Sequence, residues 1–519
     1  MASVSSNRLL LACAFAGAGT MAIELSAVRL VAPWFGTSQA VWTSAIGAVL
    51  IAMAIGYLVG GKWAGSEAPE RRLTLSLWFA AAWAAGLPSL APWVASTLMP
   101  ESASLEVVAS ILPLSSLACA LVLFLPPAAL LATAGPIVVE LLARSRSLSA
   151  GRSGGQVLAS STLGSLLGTF GTTYLGIPIL GVSGTLWLTA SLIAVGALLC
   201  SSVIRHHQAS VFAIGVFLVS SSGASSVPAG VLASVESQYQ SVRIIERADG
   251  WRNLEVNERR GSFQSVWKPE AGLLGSGYYY DCFALPPHWA QASDEWSVLV
   301  LGLGSGTAWR VLEGSMPPST QLHAMGVELD PVVVSLSREF MGLSADGDHR
   351  RTLAGWDARA ALGPISKGGR AWDQLIVDVY ANQVEIPPHL ATVEFYAAAK
   401  SLLAEGGWLQ VNVGASGLND PLVSAVGATL ATVFGKSTLA LEVPFSRNVV
   451  LIQRRAAPYI LPSSESFVPD QEGLNRLAQQ LRIPGVWGLI EAEDGRVLID
   501  GDAPLEALQR RSLAGMSEL

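Results

Sequence analysis

The sequence predicts an α-helical multi-pass membrane bundle, then a small antiparallel β-domain, then an α/β domain built on a doubly wound sheet. Residues 2–230 contain long runs with almost no charge, whereas charged residues reach ordinary density from Glu236 onward. A strand of buried character followed by a glycine-rich turn begins at Ser297. The 519 residues are 51% hydrophobic and 14% charged, against about 25% charged in soluble proteins. The overall composition is therefore an average over two parts of the chain, one suited to lipid and the other to water.

Seven apolar runs in residues 1–230 have the length that a bilayer requires. A hydrocarbon core of about 30 Å needs roughly 20 mostly apolar residues per helix. The predicted spans are 9–32, 41–61, 73–95, 106–131, 155–176, 180–204 and 209–229. The fourth run continues past Pro126 and Pro127 toward Leu142, which indicates a break or a re-entrant piece there. The seventh run is the weakest because its end is rich in serine. Six or eight spans are the alternatives.

Small residues recur at four-residue spacing in two of these runs, a pattern that favours close helix–helix packing in lipid. The two rows are Ser160, Gly164, Gly168, Thr172, Gly176 and Ala52, Gly56, Gly60. Plain helix packing accounts for them without a channel.

Glu24 and Arg29 are ionisable residues inside the first predicted span, where charged groups are costly. Two interpretations are open. Glu24 pairs with Arg29 or with neighbouring backbone, or the two residues belong to a polar substrate site within the bundle.

Loop charges predict how the bundle is oriented. Lys and Arg residues follow the second, fourth and sixth runs, and none follows the first, third or fifth. These residues are Lys62, Arg71, Arg72, Arg144, Arg146, Arg152 and Arg205. The positive-inside rule places such loops and the N-terminus in the cytoplasm. Seven full crossings would then leave the following domain outside the cell.

Several classes of function have no support in the sequence. The net charge of −7 and the absence of a basic cluster give no indication of nucleic-acid binding. The four cysteines form no CxxC pair, and no metal-ligand cluster is visible, so no metal is expected. The sequence has no HExxH, Walker loop or Ser-His-Asp order. All six histidines, His389 included, are interpreted as structural or surface residues.

A small antiparallel sheet is predicted for the β-domain at residues 236–295. Short alternating runs at 242–246, 253–257 and 262–267 are separated by Asp-Gly and Arg-Gly dipeptides, at 249–250 and 260–261. Such dipeptides mark hairpin turns.

A nucleotide-binding βαβ unit is predicted for the start of the α/β domain at residues 296–455. The strand that begins at Ser297 leads into the turn Gly302-x-Gly304-x-Gly306, and a second strand ends at Glu328. Glycines let the backbone approach a ligand, and a carboxylate at the end of the second strand accepts hydrogen bonds from ribose hydroxyls. The turn lacks the GxGxxG spacing, which favours an adenosyl-type ligand over a dinucleotide.

Three carboxylates are expected around one crevice of this sheet. Glu328, Asp357 and Asp378 fall at or just after the ends of predicted strands. Ligands of doubly wound sheets lie outside the carboxyl ends of the strands. The alternative is that these residues are helix N-caps or solvated loop acids. Further strands at 408–413, 437–443 and 449–454 would complete the sheet, and residues 456–519 form a C-terminal extension.

These residues resemble the spermidine synthase family of aminopropyltransferases, most closely a bacterial branch in which that domain is fused to a multi-pass membrane region. The resemblance covers residues 236–455 well. Residues 23–36 look like the first helix of the fused proteins, and residues 498–505 resemble their closing motif. The resemblance implies a methyltransferase-like Rossmann sheet.

Family roles transfer onto the matching positions on the donor side. Ser237-Gln-Tyr-Gln240 is similar to the family's S-x-Y-Q, which implies that Gln240 contacts the thioadenosine of the donor. Glu328 would bind the ribose, and Asp357 with Ala358 the adenine. The glycine turn at 302–306 would complete the cofactor site. Asp378 matches the catalytic base, which takes a proton from the acceptor amine.

The acceptor side departs from the family pattern. Substrate-binding roles would fall to Tyr279, Tyr280, Ser305 and Tyr380. Ser305 stands where the family's glycine loop carries an Asp, and Ala381 replaces a second acid. Tyr280 replaces the His of a Y-H-E motif. Loss of two carboxylates should weaken the binding of a dicationic amine such as putrescine.

The resemblance implies transfer of an aminopropyl group from decarboxylated S-adenosylmethionine to a small-molecule amine, a step of polyamine biosynthesis. Two alternatives are kept. One is a methyl- or alkyltransferase that uses S-adenosylmethionine and another acceptor, and the other is a non-enzymatic transporter or sensor that binds polyamine or thioadenosine. The expected location is the inner cell membrane, within the lipid bilayer. Because S-adenosyl compounds are made inside cells, the soluble domain is expected in the cytoplasm, and a homodimer is a further expectation.

Overall fold

The computed structural model describes residues 5–36, 38–99, 105–146, 149–200, 230–257, 264–269, 271–290, 294–317, 319–381, 385–457 and 472–513. The predicted seventh span, the loop residue Arg205 and the predicted turn at 260–261 lie outside these residues. Residues 5–200 form a helical bundle, and residues 230–513 form the C-terminal domain.

The apolar runs of the first half form long helices. They are α1 Ser6–Phe35, α2 Gln39–Ala64, α3 Pro69–Leu98, α4 Leu105–Ala132, α5 Ala134–Arg146, α6 Ala150–Gly171 and α7 Ile177–Cys200, with a π-helical turn at Thr172–Gly176. Five segments of the described chain are long and apolar enough to cross a membrane by length and composition. They are Ser6–Phe35, Gln39–Ala64, Pro69–Leu98, Ile111–Ser145 and Gly151–Cys200. The first four match the first four predicted spans.

The fifth segment contains two predicted spans, because the chain reverses direction within it. Gly181 interrupts α7 with φ 69° and ψ 179°. A Cβ on Gly164 would lie against Ala14, and one on Gly168 against Ala18, so α6 runs parallel to α1. Gly196 lies beside residues 12 and 15 of α1, and Ile193 beside residue 19, so α7 runs antiparallel to it. The described helices therefore traverse the bundle six times.

The fourth segment breaks later than predicted. Pro126 and Pro127 lie inside α4, and the helix is interrupted at Thr133, whose hydroxyl donates to Leu130 O at 2.7 Å. Local backbone bonds can be satisfied by a hydroxyl in this way where a helix is interrupted.

The two rows of small residues allow close helix contacts, as predicted. A Cβ on Gly164 would lie 1.9 Å from Ala14 O, and one on Gly56 would lie 2.3 Å from Ala129 O. These distances are far below van der Waals contact, so only glycine fits at either position. The rows thus hold α6 against α1 and α2 against α4.

The cationic loops lie at the end of the bundle that carries the N-terminus. Cys13 Sγ lies 3.9 Å from Ala134 O, and Gly60 packs on Thr133, so the end of α2 lies beside the N-terminal half of α1. Because α6 is parallel to α1, Arg152 in its first turn lies at this end as well. The C-terminal domain contacts the opposite end, where the backbone N of Gln39 donates to a carboxylate oxygen of Glu506 at 3.1 Å.

The C-terminal domain begins with the predicted antiparallel sheet. Its strands are β1 Val231–Glu236, β2 Ser241–Glu246, β3 Arg252–Val256 and β4 Ser265–Trp267, paired in sequence order. Gly250 has φ 80° in the turn between β2 and β3, which agrees with the predicted hairpin. The sheet starts five residues before the predicted boundary at 236, at Val231.

An eight-stranded mixed sheet follows. Its strands are β5 Glu295–Leu301, β6 Gln321–Glu328, β7 Arg350–Ala354, β8 Trp372–Val377, β9 Leu403–Gly414, β10 Thr438–Glu442, β11 Asn448–Arg454 and β12 Trp487–Ile490. The order is β12-β10-β11-β9-β8-β5-β6-β7, in which β9-β8-β5-β6-β7 is parallel and the other neighbours are antiparallel. Strand β12 comes from the predicted C-terminal extension, which therefore completes the sheet.

Helices cover both faces of this sheet, as expected for a doubly wound fold. They are α8 Leu285–Trp289, α9 Thr307–Ser315, α10 Pro331–Phe340, α11 Ala358–Lys367, α12 Val393–Leu402, α13 Pro421–Phe434, α14 Glu472–Leu481 and α15 Leu505–Leu513. One apolar core contains Phe395 and Leu422, and the other, on the opposite face, contains Leu312 and Leu477. The parallel strands are buried between these two layers. Because these strands run in the same direction, their carboxyl ends meet at one edge of the sheet.

Gly164→Ala is expected to lower the thermal stability of the full chain in detergent, because its Cβ would clash with the backbone of α1. Overpacking costs about 1–3 kcal/mol. Gly154→Ala in the same helix is the matched control, since a Cβ there meets nothing within 4 Å. A Gly164→Ala protein that unfolds at or above the wild-type temperature would contradict this packing.

Candidate active site

The carboxyl ends of β5, β6 and β8 open into a cleft that the small sheet closes on one side. Most of the predicted site residues line it. They are Gln240, Tyr279, Tyr280, Gly302, Gly304, Glu328, Asp357, Ala358, Asp378 and Tyr380. Ser305 and Gly306 do not line the cleft. The structure thus brings together residues that are up to 140 positions apart in the chain, from Gln240 to Tyr380.

The glycine turn after β5 lets two strand ends approach each other. Gly302 has φ 85°, and a Cβ there would lie 2.0 Å from Asp378 O. The backbone N of Asp378 donates to Leu301 O at 2.9 Å. Residue 302 must therefore be glycine for the turn and the end of β8 to meet.

Glu328 is fixed at the end of β6 by backbone donors. Its carboxylate accepts hydrogen bonds from Gly304 N at 2.9 Å and from Asp330 N at 3.1 Å. Burial raises the pKa of Glu328, while these N–H groups oppose the shift. A carboxylate held in this position can accept hydrogen bonds from ligand hydroxyls in the cleft.

Asp357 is both a helix cap and part of the cleft wall. Its Oδ1 accepts from Arg359 N at 2.9 Å and from Ala360 N at 3.0 Å, at the start of α11. Its Oδ2 lies 3.0 Å from His389 Nε2. Burial alone would raise the pKa of Asp357, but the hydrogen bonds from His389 and the backbone outweigh it and lower the pKa. The two interpretations of this residue are therefore compatible.

Asp378 is held between two side chains at the end of β8. Its Oδ2 accepts from the Tyr279 hydroxyl at 2.9 Å, and its Oδ1 accepts from Asn412 Nδ2 at 2.9 Å. Burial raises the pKa of Asp378 to about 6, although both hydrogen bonds oppose the shift. A carboxylate with a pKa just below neutrality is ionised at pH 7 yet basic enough to take a proton.

Three tyrosines line the same cleft as this carboxylate. The rings of Tyr279 and Tyr280 meet edge-on, with centroids 5.4 Å apart. The Tyr380 hydroxyl donates to Asn412 O at 2.9 Å and accepts from Gly414 N at 2.8 Å. Because the Tyr279 and Tyr380 hydroxyls have protein partners, the ring surfaces are what these residues offer to a ligand. Aromatic faces attract cationic amines.

Ser305 does not occupy the position that was predicted for it. The residue is fully buried, and its Oγ accepts from Arg310 Nη2 at 3.1 Å while its backbone N donates to Ser265 Oγ at 3.3 Å. The serine is turned toward the partly buried Arg310 behind the glycine turn, so the predicted contact with substrate is not supported. Ala381 does line the cleft, without a charge.

Two further residues of the cleft were missed in the sequence. His389 and Trp356 both line it, although the histidines were interpreted as structural or surface residues and Trp356 was given no role. Trp356 is 42% exposed beside the carboxylate of Asp357. The signal in the sequence that could have identified it is its position next to Asp357, a predicted ligand-binding carboxylate. Among the described residues, no group of three or more His, Cys, Asp or Glu side chains could hold a metal ion.

Comparison with known proteins finds sequence relatives that are named polyamine aminopropyltransferases. No family model matches the chain. The chain is 28% identical over 220 residues to a polyamine aminopropyltransferase of Vibrio vulnificus, covering 41% of this chain and 69% of that protein. It is 27% identical over 303 residues to a polyamine aminopropyltransferase of Mycobacterium tuberculosis, covering 54% of this chain. The match spans only about half of that mycobacterial relative, 55% of its length.

Among solved structures, a probable spermidine synthase from Corynebacterium glutamicum is 16% identical and has a TM-score of 0.37, covering 57% of this chain and 98% of that one. The spermidine synthase of Thermotoga maritima is 17% identical with a TM-score of 0.36, covering 49% and 85%. The names of the sequence relatives fit a spermidine synthase-like family, to which this chain is similar at 27–28% identity over the matched residues.

Proposed function

We propose that the C-terminal domain transfers an aminopropyl group from decarboxylated S-adenosylmethionine to an amine. The observation that supports this most is Asp378, a near-neutral base in the same cleft as Glu328 and Asp357. Its carboxylate is oriented by two hydrogen bonds from Tyr279 and Asn412. A domain that only bound its ligand would have no use for a base held in this way.

The donor occupies the end of the cleft near β6 and α11. Glu328 accepts hydrogen bonds from the ribose hydroxyls, and Gln240 contacts the thioadenosine. Asp357 and Ala358 border the adenine, with His389 holding the Asp357 carboxylate at 3.0 Å. The open glycine turn at Gly302 and Gly304 lets the backbone approach the ligand.

The acceptor amine lies between Asp378 and the tyrosines. Its nitrogen attacks the propyl carbon next to the sulfonium, so that a C–N bond forms as the C–S bond breaks and 5′-methylthioadenosine leaves as a neutral thioether. Asp378 takes the proton that the amine gives up. An amine with a pKa near 10 is mostly protonated at pH 7, so this proton transfer and the in-line placement are what the protein must supply.

The described walls of the cleft favour an acceptor with one cationic group. The acids that line it are Glu328, Asp357 and Asp378, and only Asp378 lies among the tyrosines. Ala381 offers no charge, and Ser305 faces away from the cleft. A second ammonium group would lose its hydration without gaining a carboxylate, which is unfavourable. This feature also supports the alternative of an alkyltransferase with another acceptor, which would use the same donor end.

We also propose that the helical bundle lies in the inner membrane, with the bilayer as its partner. The cytoplasmic side expected for the C-terminal domain stays a prediction that rests on where the donor is made. The charge distribution argues for the other side, because the cationic loops lie at one end of the bundle and the domain contacts the other. An exoplasmic domain would need a donor delivered through the membrane.

The rate of alkyl transfer is expected to rise with pH through about 6, the pKa of Asp378, and to level off above it. The base must be ionised in the free enzyme, so kcat/KM should fall about tenfold per pH unit below the pKa. Asp378→Asn should reduce turnover by about 100-fold or more, and the rise in rate near pH 6 should disappear from the pH–rate profile. A limb near pH 6 that persists in Asp378→Asn would contradict the assignment.

A monoamine such as butylamine is expected to be a better acceptor than putrescine, judged by product formation from decarboxylated S-adenosylmethionine. Ala381→Asp should improve the kcat/KM for putrescine by about tenfold, because it restores a carboxylate at the cleft wall. Ala381→Asn is the matched control, similar in size but uncharged. Preference of the wild type for putrescine would refute the one-cation acceptor, and absence of any alkylated amine would refute the proposed function.

The loop cations predict that a cysteine placed in the C-terminal domain reacts with a membrane-impermeant maleimide added to whole cells. Ser335→Cys provides an exposed site in α10, and Ala68→Cys provides one at the cationic end of the bundle. The four native cysteines are buried, which keeps the background low. Labelling of Ala68→Cys but not of Ser335→Cys would instead place the domain in the cytoplasm.

A further inference from the structure

Arg29 links the helical bundle to the C-terminal domain. The sequence left two interpretations of this residue open, as a partner of Glu24 or as part of a polar substrate site within the bundle. Its Nη1 instead donates to Ser237 O at 3.1 Å, and its Nη2 donates to Gln238 O. A helix of the bundle thus binds two consecutive backbone carbonyls in the turn between β1 and β2.

This turn leads directly to the cleft. Ser237 Oγ accepts from the backbone N of Tyr239 at 3.0 Å and from that of Gln240 at 2.9 Å, and it donates to Asp330 Oδ2 at 2.6 Å. Gln240 is the residue of the turn that lines the cleft. The position of its side chain therefore depends on the conformation of residues 237–240.

Asp330 connects the same turn to the end of β6. Its Oδ1 accepts from Val332 N at 2.9 Å and caps α10. Its backbone N donates to Glu328 at 3.1 Å, in the carboxylate that faces the cleft. The charges of Asp330 and Glu236 both act on the Arg29 guanidinium. One polar network thus joins Arg29 to Gln240 and Glu328.

A second helix of the bundle holds the other side of the turn. The Glu236 carboxylate accepts a hydrogen bond from Val182 N, where α7 is interrupted at Gly181. A Cβ on Gly181, with its φ of 69°, would lie 2.9 Å from Glu236 Oε2. The turn is therefore bound by hydrogen bonds from α1 on one side and from α7 on the other.

We infer that Arg29 is a positioning residue for the donor end of the cleft, and that the bundle is a structural part of that site as well as an anchor. Hydrogen bonds from a charged donor are stronger than neutral ones, so the guanidinium holds the two carbonyls firmly. Removing it frees the turn, and Gln240 loses its fixed place in the cleft. The identity of the ligand, though not the positioning itself, rests on the proposed function.

The test uses the full chain in detergent, with 5′-methylthioadenosine as the calorimetric probe. Arg29→Met is expected to weaken binding about tenfold or more, and Arg29→Lys, which keeps one cation, to restore part of the affinity. In turnover assays Arg29→Met should raise the KM of the donor while leaving the KM of the acceptor unchanged. Arg144→Met is the matched control, because Arg144 pairs with Glu140 at the cationic end of the bundle.

A second readout needs no ligand. Tyr239→Cys places a thiol on the exposed part of the turn, where Tyr239 is 37% exposed. Its rate of maleimide labelling is expected to rise several-fold when Arg29→Met is added and to stay unchanged with Arg144→Met. Failure of the wild type to bind the probe would count against the proposed function alone. Equal labelling rates, or equal probe affinities in wild type and Arg29→Met, would overturn the positioning role.

Discussion

The site depends on the close approach of two strand ends, where the glycine turn after β5 meets the end of β8. Gly302 lies so close to Asp378 O that a Cβ would be 2.0 Å from it. This contact places Asp378, at the end of β8, beside the glycine turn. In the same turn, the backbone N of Gly304 donates a hydrogen bond to Glu328. Under the proposed function, a donor lying on the turn has its reactive end near Asp378 and its ribose near Glu328. Any side chain at residue 302 would separate the two halves of the site.

Two carboxylates of the cleft have pKa values that are shifted in opposite directions, because their hydrogen-bond partners differ. Asp378 accepts two neutral hydrogen bonds, so burial prevails and its pKa rises to about 6. Asp357 also caps a helix and faces His389, so its pKa is lowered in spite of burial. In such different environments, Asp378 can serve as a base, while Asp357 can serve as a charged hydrogen-bond acceptor.

The central features of the fold and the donor site could be predicted from the sequence because they depend on local patterns. The strand, the glycine turn and Glu328 lie in one stretch of chain, and Asp378 ends the next apolar strand. Features that depend on distant packing could not be predicted. Ser305 turns toward Arg310, which approaches it from the following helix, and β12 joins the sheet from residues that carry no strong strand pattern.

For the bundle, the sequence likewise predicted the helices. It did not predict the contact between the bundle and the C-terminal domain. The rows of small residues identified the helix faces that pack, whereas no spacing rule indicates that Arg29 would bind carbonyls 208 residues away. The contact joins a bundle helix to the turn that carries Gln240. If the bundle only anchored the domain, no such network would be needed. The arrangement instead makes the site a product of both halves of the chain.

The most direct test of the account is calorimetry on the full chain with decarboxylated and ordinary S-adenosylmethionine, with Glu328→Gln as the control. The account predicts that the wild type binds the decarboxylated donor more tightly. Glu328→Gln should bind it about tenfold more weakly or worse, since a charged hydrogen-bond partner is worth about 1.5–3 kcal/mol. Preference for the carboxylated compound, or no binding of either, would contradict it.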